Sequence, residues 1–364
     1  MRRPKILLLS KYSRLGASSR LRSLQYLAHL NDQGFDITQQ CLFDDTYLEK
    51  LYAGEGRSYL SIAAAYLRRF FTLTTISKYD LVWIEKEIFP YFPSIFEHAL
   101  RIVGKHYVVD YDDAIFHNYN LSKKAIVRKI LGHKIDTVMR LADCVFVGNQ
   151  YLRDYAEQAG AKEIFVVPTV VDAHRYKMRS SKAKDQLTIG WIGSPSTQQY
   201  LIDMKDILRE VCLEHNAQLL VVGATSAVAE AIQDVDVEIA AWTEKSEAAL
   251  IQRMDIGIMP LKDGPWERGK CGYKLIQYMA CCVPVLASPV GVNEDIVRDN
   301  RCGILATSQD EWSSALELLL SQQTTRVELG LAGRRAVEKT YSLDIQAKRI
   351  ETIFQNLLDK RTAS

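Results

Sequence analysis

No apolar stretch in this 364-residue chain reaches the ~20 residues that a membrane-spanning helix requires. The richest stretch, residues 58–76, is interrupted by Arg68-Arg69. The start, MRRPKILLLSKY, has an apolar run only from Ile6 to Leu9 before Lys11 ends it. That is far short of a secretory apolar region, and it reads as a strand. These absences predict a protein that is not integral to a membrane. The seven cysteines (Cys41, Cys144, Cys212, Cys271, Cys281, Cys282, Cys302) show no paired-ligand spacing and are odd in number. They argue for reduced thiols in a cytoplasmic protein, and against a zinc site or a disulfide frame. Internal repeats, low-complexity tracts and the three-glycine dinucleotide fingerprint are also missing.

What is present is a regular alternation of strand-like and helix-like segments. It predicts an α/β protein with parallel sheets covered by helices. The length suits two domains of about 150–200 residues. Expected strands in the first are Lys5–Ser10, Leu81–Glu85, His106–Asp110, Cys144–Gly148 and Ile164–Val167, with a helix from about Ser19 to Gln33. The polar run 179–185 is the linker candidate. The second set is Leu187–Ile192, Gln218–Val222, Val237–Ile239, Ile256–Met259, Val283–Ala287 and Gly303–Ala306. Net charge is only +2, but residues 1–184 carry 28 Lys/Arg against 19 Asp/Glu, and the rest of the chain is net acidic. A basic first half would attract an anionic acceptor or an anionic membrane surface; chance asymmetry is the alternative.

The most informative block is residues 255–291, DIGIMPLKDGPWERGKCGYKLIQYMACCVPVLASPVG. A strand runs into a loop bearing Gly264, Gly269 and Gly272, and an apolar-periodic helix follows with Leu275, Ile276 and Met279. A helix N-terminus after a glycine loop suits an anion, because its first N–H groups have no partner within the helix. Arg268, Lys270 and Lys274 stand at that entrance with Cys271 and Gly272 between them. They predict a grip on a phosphate-bearing ligand; the alternative is a crossover with a solvated basic end.

This block resembles the nucleotide-sugar-binding segment of retaining glycosyltransferases of family 4, which have the GT-B fold. Met279-Ala280, Val283-Pro284-Val285, Ala287-Ser288 and Gly291-Val292 match the family's run, while its two glutamates are replaced by Gly269 and Gln277. Gln277 retains the ability to hydrogen-bond a ribose hydroxyl; Gly269 cannot orient the sugar as a carboxylate does. Val167-Pro168-Thr169-Val170-Val171-Asp172 is similar to the passage that closes the family's N-terminal domain, and Gly330, Ala332-Gly333-Arg334 and Tyr341-Ser342 resemble its closing helices. The resemblance implies two Rossmann-like domains facing each other across a cleft. The first would span 1–180, with a returning helix at about 345–364, and the second 185–344.

Three further groups are candidates. Gly193, Ser194, Ser196 and Thr197 form a loop after the second domain's first strand, suited to a diphosphate. Gly16, Ser18, Ser19 and Arg20 hold the corresponding place in the first domain, where they suit phosphate or acceptor; a glycine turn with a serine N-cap is the alternative. Asp110, Asp112 and Asp113 end a strand, and period-two geometry puts Asp110 and Asp112 on one face. Asp-x-Asp is also the metal motif of the GT-A fold, but GT-B needs no metal, so metal is not expected. Trp242 stands where the family places the nucleotide base. Lesser candidates are Glu85-Lys86-Glu87, His117 and Glu294.

The reading implied by the resemblance is a retaining glycosyltransferase that binds its donor in the second domain and its acceptor in the first. Asp112 would orient the acceptor hydroxyl or stabilise cationic character on the sugar; an N-cap or loop-ordering acid is the alternative. Lys270 would assist departure of the diphosphate. No cofactor and no nucleic acid are expected. The partners are a nucleotide sugar and a carbohydrate or lipid-linked acceptor, in bacterial surface polysaccharide or glycolipid synthesis. The setting is the cytoplasm or the inner face of its membrane. The alternatives are a nucleotide-sugar epimerase and a non-catalytic nucleotide-sugar-binding protein of the same fold.

Overall fold

The computed structural model describes residues 2–52, 56, 58–178 and 185–362; all of the linker candidate except Asp185 lies outside them. The chain forms two compact units, Met1–Thr169 with Leu343–Ser364, and Val170–Ser342. Each is a six-stranded, wholly parallel sheet with helical crossovers, the architecture of a Rossmann-like domain.

In the first unit the strands are β1 (Lys5–Tyr12), β2 (Asp36–Phe43), β3 (Leu81–Glu85), β4 (Tyr107–Tyr111), β5 (Cys144–Val147) and β6 (Ile164–Val166), in the order β2-β1-β3-β4-β5-β6. Ile6 to Leu9 and most of β3, β4 and β5 are fully buried, as strands covered on both faces must be. The edge strand β2 was absent from the expected set. Its sequence, DITQQCLF, is polar because only Leu42 and Phe43 are buried. The helix expected over 19–33 is two short helices, Ala17–Arg22 and Leu27–Asp32, with a 3₁₀ turn between them. Residues 59–74 form one helix, capped by the Ser58 hydroxyl accepting from Ser61 N–H. Its Arg69, one of the charges that break the apolar run, is fully buried and donates to the carbonyls of Ser10, Gln40 and Ile88. No helix among the described residues is long and apolar enough to cross a membrane.

The chain's last helix, Leu343–Thr362, belongs to the first unit. Phe354 meets Trp83 edge-on at 5.2 Å, meets Phe35 at 6.2 Å and stacks on Phe146 at 6.0 Å. An aromatic buried on three rings fixes the helix more firmly than its own propensity would.

In the second unit β7 (Thr188–Ile192), β8 (Gln218–Val222), β9 (Val237–Ala240), β10 (Ile256–Met259), β11 (Val285–Ala287) and β12 (Gly303–Leu305) run in the order β12-β11-β10-β7-β8-β9. Residues 170–178, expected in the first domain, join this unit. Val171 bridges Ser342, and Tyr176 is buried in its core. The two sheets reverse their direction of winding at β1/β3 and at β10/β7. Such reversals open a crevice at the carboxyl ends of the strands, where ligands of open α/β sheets bind.

Candidate functional site

The loops after β7 and β10 flank the reversal in the second unit. After β7 the chain turns on its own hydroxyls: Ser194 N–H donates to Thr197 Oγ1 at 3.2 Å, Thr197 N–H donates to Ser194 O at 2.9 Å, and Ser194 and Ser196 hydroxyls lie 2.9 Å apart. Gly193 is required by its neighbour, since a Cβ there would lie 2.1 Å from the buried Trp191 ring.

After β10 the chain passes through a short helical turn, Pro265–Arg268, to the helix Tyr273–Ala280. Gly272 caps that helix in the left-handed conformation (φ 62°), and a Cβ there would meet Ile296 at 2.6 Å. Backbone and packing thus both demand glycine. Lys274, one residue into the first turn, holds its ammonium 4.3 Å from the centroid of the Trp191 ring. Burial and then the nearby Lys270 charge push its pKa down to about 7. Two lysines therefore stand at a helix N-terminus, and the Trp191 ring that holds Lys274 also abuts Gly193 of the loop after β7. Arg268, by contrast, is exposed and engages Asp263 through two hydrogen bonds, at 2.6 and 2.8 Å. Cys271 is buried in the loop.

Gln277, on the same helix, donates to Tyr176 Oη at 3.1 Å and to Glu247 Oε2 at 3.3 Å. That Glu247 oxygen also accepts from Trp242 Nε1 at 2.9 Å, and the other accepts from Tyr176 Oη at 2.8 Å. Glu247 was missed in the sequence. It lies on the helix Glu247–Ile251, thirty positions before Gln277, and only the fold joins it to Gln277 and Trp242.

In the first unit, the loops after β1 and β3 flank the other reversal. Lys86, immediately after β3, adopts φ 66° and donates its N–H to Asp110 O at 2.9 Å. Its ammonium lies 2.8 Å from Asp112 Oδ1 and 3.8 Å from Asp113 Oδ2, and it donates to Ser18 Oγ at 3.1 Å. Ser18 in turn donates to Asp112 Oδ2 at 2.6 Å. Burial alone would lower the Lys86 pKa, but Asp112, Asp113 and Glu85 outweigh it and hold the group charged above its ordinary value. Burial would likewise raise Asp112, but the charges of Lys86 and Arg22, with the hydrogen bonds from Lys86 and Ser18, keep it lowered. Strain of this kind at a non-glycine residue persists where the surroundings over-determine it, and it concentrates at functional sites. Lys86, a lesser candidate in the sequence, is central to this cluster.

The other candidates of this unit hold structure together. Asp110 is buried and accepts from Arg22 Nε at 3.0 Å and Nη2 at 2.7 Å; burial raises its pKa to about 6 against the pull of Arg22. Ser19 is buried, donating to Glu85 at 2.6 Å and accepting from Tyr12 N–H at 3.0 Å. Arg20 donates to Arg14 O, and Gly16 makes room for Tyr12. His117 bonds Tyr151 and Asn120 within its own unit. In the second unit, Glu294 is a first-turn acid paired with Arg298. No group of three or more His, Cys, Asp or Glu among the described residues is arranged to hold a metal ion.

Residues 184–322 match the family described as Glycosyl transferases group 1. That span contains the Lys270–Lys274 entrance, the Ser194–Thr197 loop and the Glu247 network. No curated protein matches the sequence. Among solved structures, HepE from Anabaena in complex with UDP-glucose superposes with a TM-score of 0.72 at 15% identity, covering 97% of this chain and 99% of that one. A sucrose-phosphate synthase from Thermosynechococcus elongatus gives 0.71 at 14%, covering 98% and 100%. A putative UDP-N-acetylglucosamine 2-epimerase from Listeria monocytogenes gives 0.64 at 11%, covering 98% and 97%. At these identities the likeness is one of fold, the GT-B architecture.

Proposed function

We propose that this protein is a retaining glycosyltransferase that takes a nucleotide-diphosphate sugar at the second unit and an acceptor hydroxyl at the first. The observation that carries the reading is the pairing of Lys270 and Lys274 at a helix N-terminus beside a sheet reversal, inside the span that matches the glycosyltransferase family. In the reaction the bond between the anomeric carbon and the diphosphate oxygen breaks, and one to the acceptor oxygen forms on the same face. The acceptor's proton passes to the departing phosphate. Negative charge builds on that phosphate, and the two ammonium groups with the helix dipole lower the energy of the transition state.

Trp242 would meet the nucleoside base, whereas Gln277, buried and bonded to Tyr176 and Glu247, would meet a ribose only if that network opened. Ser18, Lys86 and Asp112 fit an acceptor hydroxyl, which Asp112 would orient. The binding of UDP-glucose by HepE supports a uridine donor, and the chemistry requires no metal when lysines meet the diphosphate. Synthesis of surface polysaccharide or glycolipid, in the cytoplasm or at the membrane's inner face, is part of this reading.

A second reading is favoured by Gly269, which leaves the donor sugar without the carboxylate that the resemblance leads one to expect. It is a protein that binds nucleotide sugars without transferring them. An epimerase is the third, since one fold neighbour is a putative one. Thermal-shift screening against UDP-, GDP- and ADP-sugars identifies the donor. Free nucleoside diphosphate released only in the presence of acceptor supports transfer. Conversion of the nucleotide sugar to its epimer without acceptor favours the epimerase, and binding with neither release nor conversion favours the non-catalytic reading.

A further inference from the structure

The helix Tyr59–Thr74 carries an apolar stripe on its outer side. Ala65 and Arg69 face inward, while Leu60, Ala64, Leu67 and Phe71 recur at helical spacing on the outer face, with Leu60 84% and Phe71 64% exposed. An exposed apolar stripe of this kind marks a surface that meets a partner. Ring contacts link the helix to two further segments of the same unit that also expose apolar side chains, the second through the first. Phe70 meets Phe96 edge-on at 6.2 Å, and Tyr66 meets Phe89 at 5.4 Å and donates its hydroxyl to Pro90 O at 2.7 Å. That ties the helix to residues 89–96, where Tyr91 and Phe92 are exposed. Tyr91 meets Tyr119 at 5.4 Å, and its N–H donates to the Tyr119 hydroxyl at 3.0 Å. Tyr119 lies in the turn of helix that leads to Ala125–Leu131, whose Ile126 and Ile130 are again exposed, one turn apart.

The exposed charge on these three segments has one sign. Residues 58–79 and 114–135 contain no Asp or Glu, and the single acid in 88–109, Glu97, is buried. Lys123, Lys124, Arg128 and Lys129 stand exposed around Ile126 and Ile130. Exposed aromatic and aliphatic side chains interleaved with lysines, and free of carboxylates, are the chemistry of a surface that enters a headgroup layer. The apolar groups reach the acyl boundary while the ammonium groups meet anionic lipid.

We propose that this face of the first unit docks on the surface of a bilayer containing anionic lipid. The three segments emerge after β1–β2, β3 and β4. Two of them, residues 89–96 and 117–131, begin a few residues beyond Lys86 and Asp112 at the carboxyl ends of β3 and β4. Docking would therefore set the Ser18–Lys86–Asp112 cluster close to the lipid–water interface, where the headgroup of a lipid-linked acceptor lies. That last step rests on the function proposed above; the docking does not.

The test is cosedimentation of the full chain with vesicles of phosphatidylcholine alone and with phosphatidylglycerol added. Binding is expected only to the anionic vesicles, weakened by salt. Reversal of Lys123→Glu, Lys124→Glu and Lys129→Glu together should reduce partitioning at least about tenfold, and Leu60→Ser with Phe71→Ser should do the same by removing insertion. Reversal of the exposed Lys205, Lys245 and Lys339 of the second unit, also to Glu, should leave it unchanged. Equal binding of all variants, or of neutral vesicles, overturns the proposal. So does a concentration-dependent dimer in solution that Phe71→Ser abolishes, since the face would then belong to a second copy. If the vesicles bind and no sugar is transferred to any lipid acceptor, the docking stands and the functional reading falls.

Discussion

Lys274 rests its ammonium on the face of Trp191, 4.3 Å from the ring centroid, so the charge that would meet a diphosphate is held in place by a buried aromatic. The same ring leaves no space at Gly193. Gly193→Ala should therefore destabilise the second unit by about 1–3 kcal/mol through overpacking. Trp191→Phe in the same chain should recover part of that loss. Chemical denaturation of the two single variants and the double variant checks it, and strictly additive effects would refute the contact.

Donor binding should depend on pH. Lys274 has a pKa of about 7 in the free protein, and a diphosphate favours its charged form. Affinity for the nucleotide sugar should be full below that value and fall as pH rises through it, by at most roughly tenfold per unit for one proton. Lys274→Arg, which stays charged, should remove the fall. Calorimetry across that range with a nucleotide-diphosphate sugar, whose two phosphates are esterified at both ends and do not titrate there, is the measurement.

Lys270→Ala should weaken binding of the nucleoside diphosphate about ten- to a hundred-fold and leave the nucleoside nearly unaffected, as expected of a charge-assisted contact. In the same variant Lys274 should titrate higher, because one of the two causes of its depression is gone. Equal diphosphate affinity in variant and wild type would take Lys270 out of the site.

Gln277→Glu, which restores the carboxylate of the resembling family, should be harmful here. It would set a second acid 3.3 Å from a Glu247 oxygen with the donated hydrogen bond lost. Two such carboxyls raise each other's pKa in the folded state. The variant should then be most stable relative to wild type at acid pH, below the ordinary carboxyl pKa, and lose that stability as pH rises to neutrality. Adding Glu247→Gln should rescue it. Melting temperatures at acid and neutral pH for both variants decide the matter.

Asp112→Asn should lower turnover by roughly a hundredfold or more while leaving donor affinity unchanged. The amide cannot balance Lys86 as the carboxylate does, so melting must be followed alongside to separate lost chemistry from lost fold. Unchanged turnover would remove Asp112 from the mechanism. Dependence on added metal would revive the Asp-x-Asp metal motif.

The strands of the second sheet were legible because each is a short, buried, apolar run between polar residues, and Ile256–Met259 illustrates why. The edge strand β2 carries no such signal, since water covers most of it. The break in the helix after Arg22 was equally hidden. There the guanidinium turns inward to Asp110, eighty-eight positions away. The lysine entrance could be read because its parts are neighbours in sequence. Lys86 and Glu247 acquire meaning only from strand order and helix packing, which bring Ser18, Lys86 and Asp112 together and join Glu247 to Trp242 and Gln277. Local pattern cannot express that.

The final helix has a consequence for how the molecule is made. Phe354 fills a space between Trp83, Phe35 and Phe146, yet those three rings leave the ribosome long before it does. The stretch 170–342 is continuous and can close on itself as soon as it emerges. The N-terminal sheet must wait through all of that synthesis with an open aromatic slot. Folding in the cell therefore runs against the usual N-to-C order, and the waiting sheet is the species that a chaperone would meet.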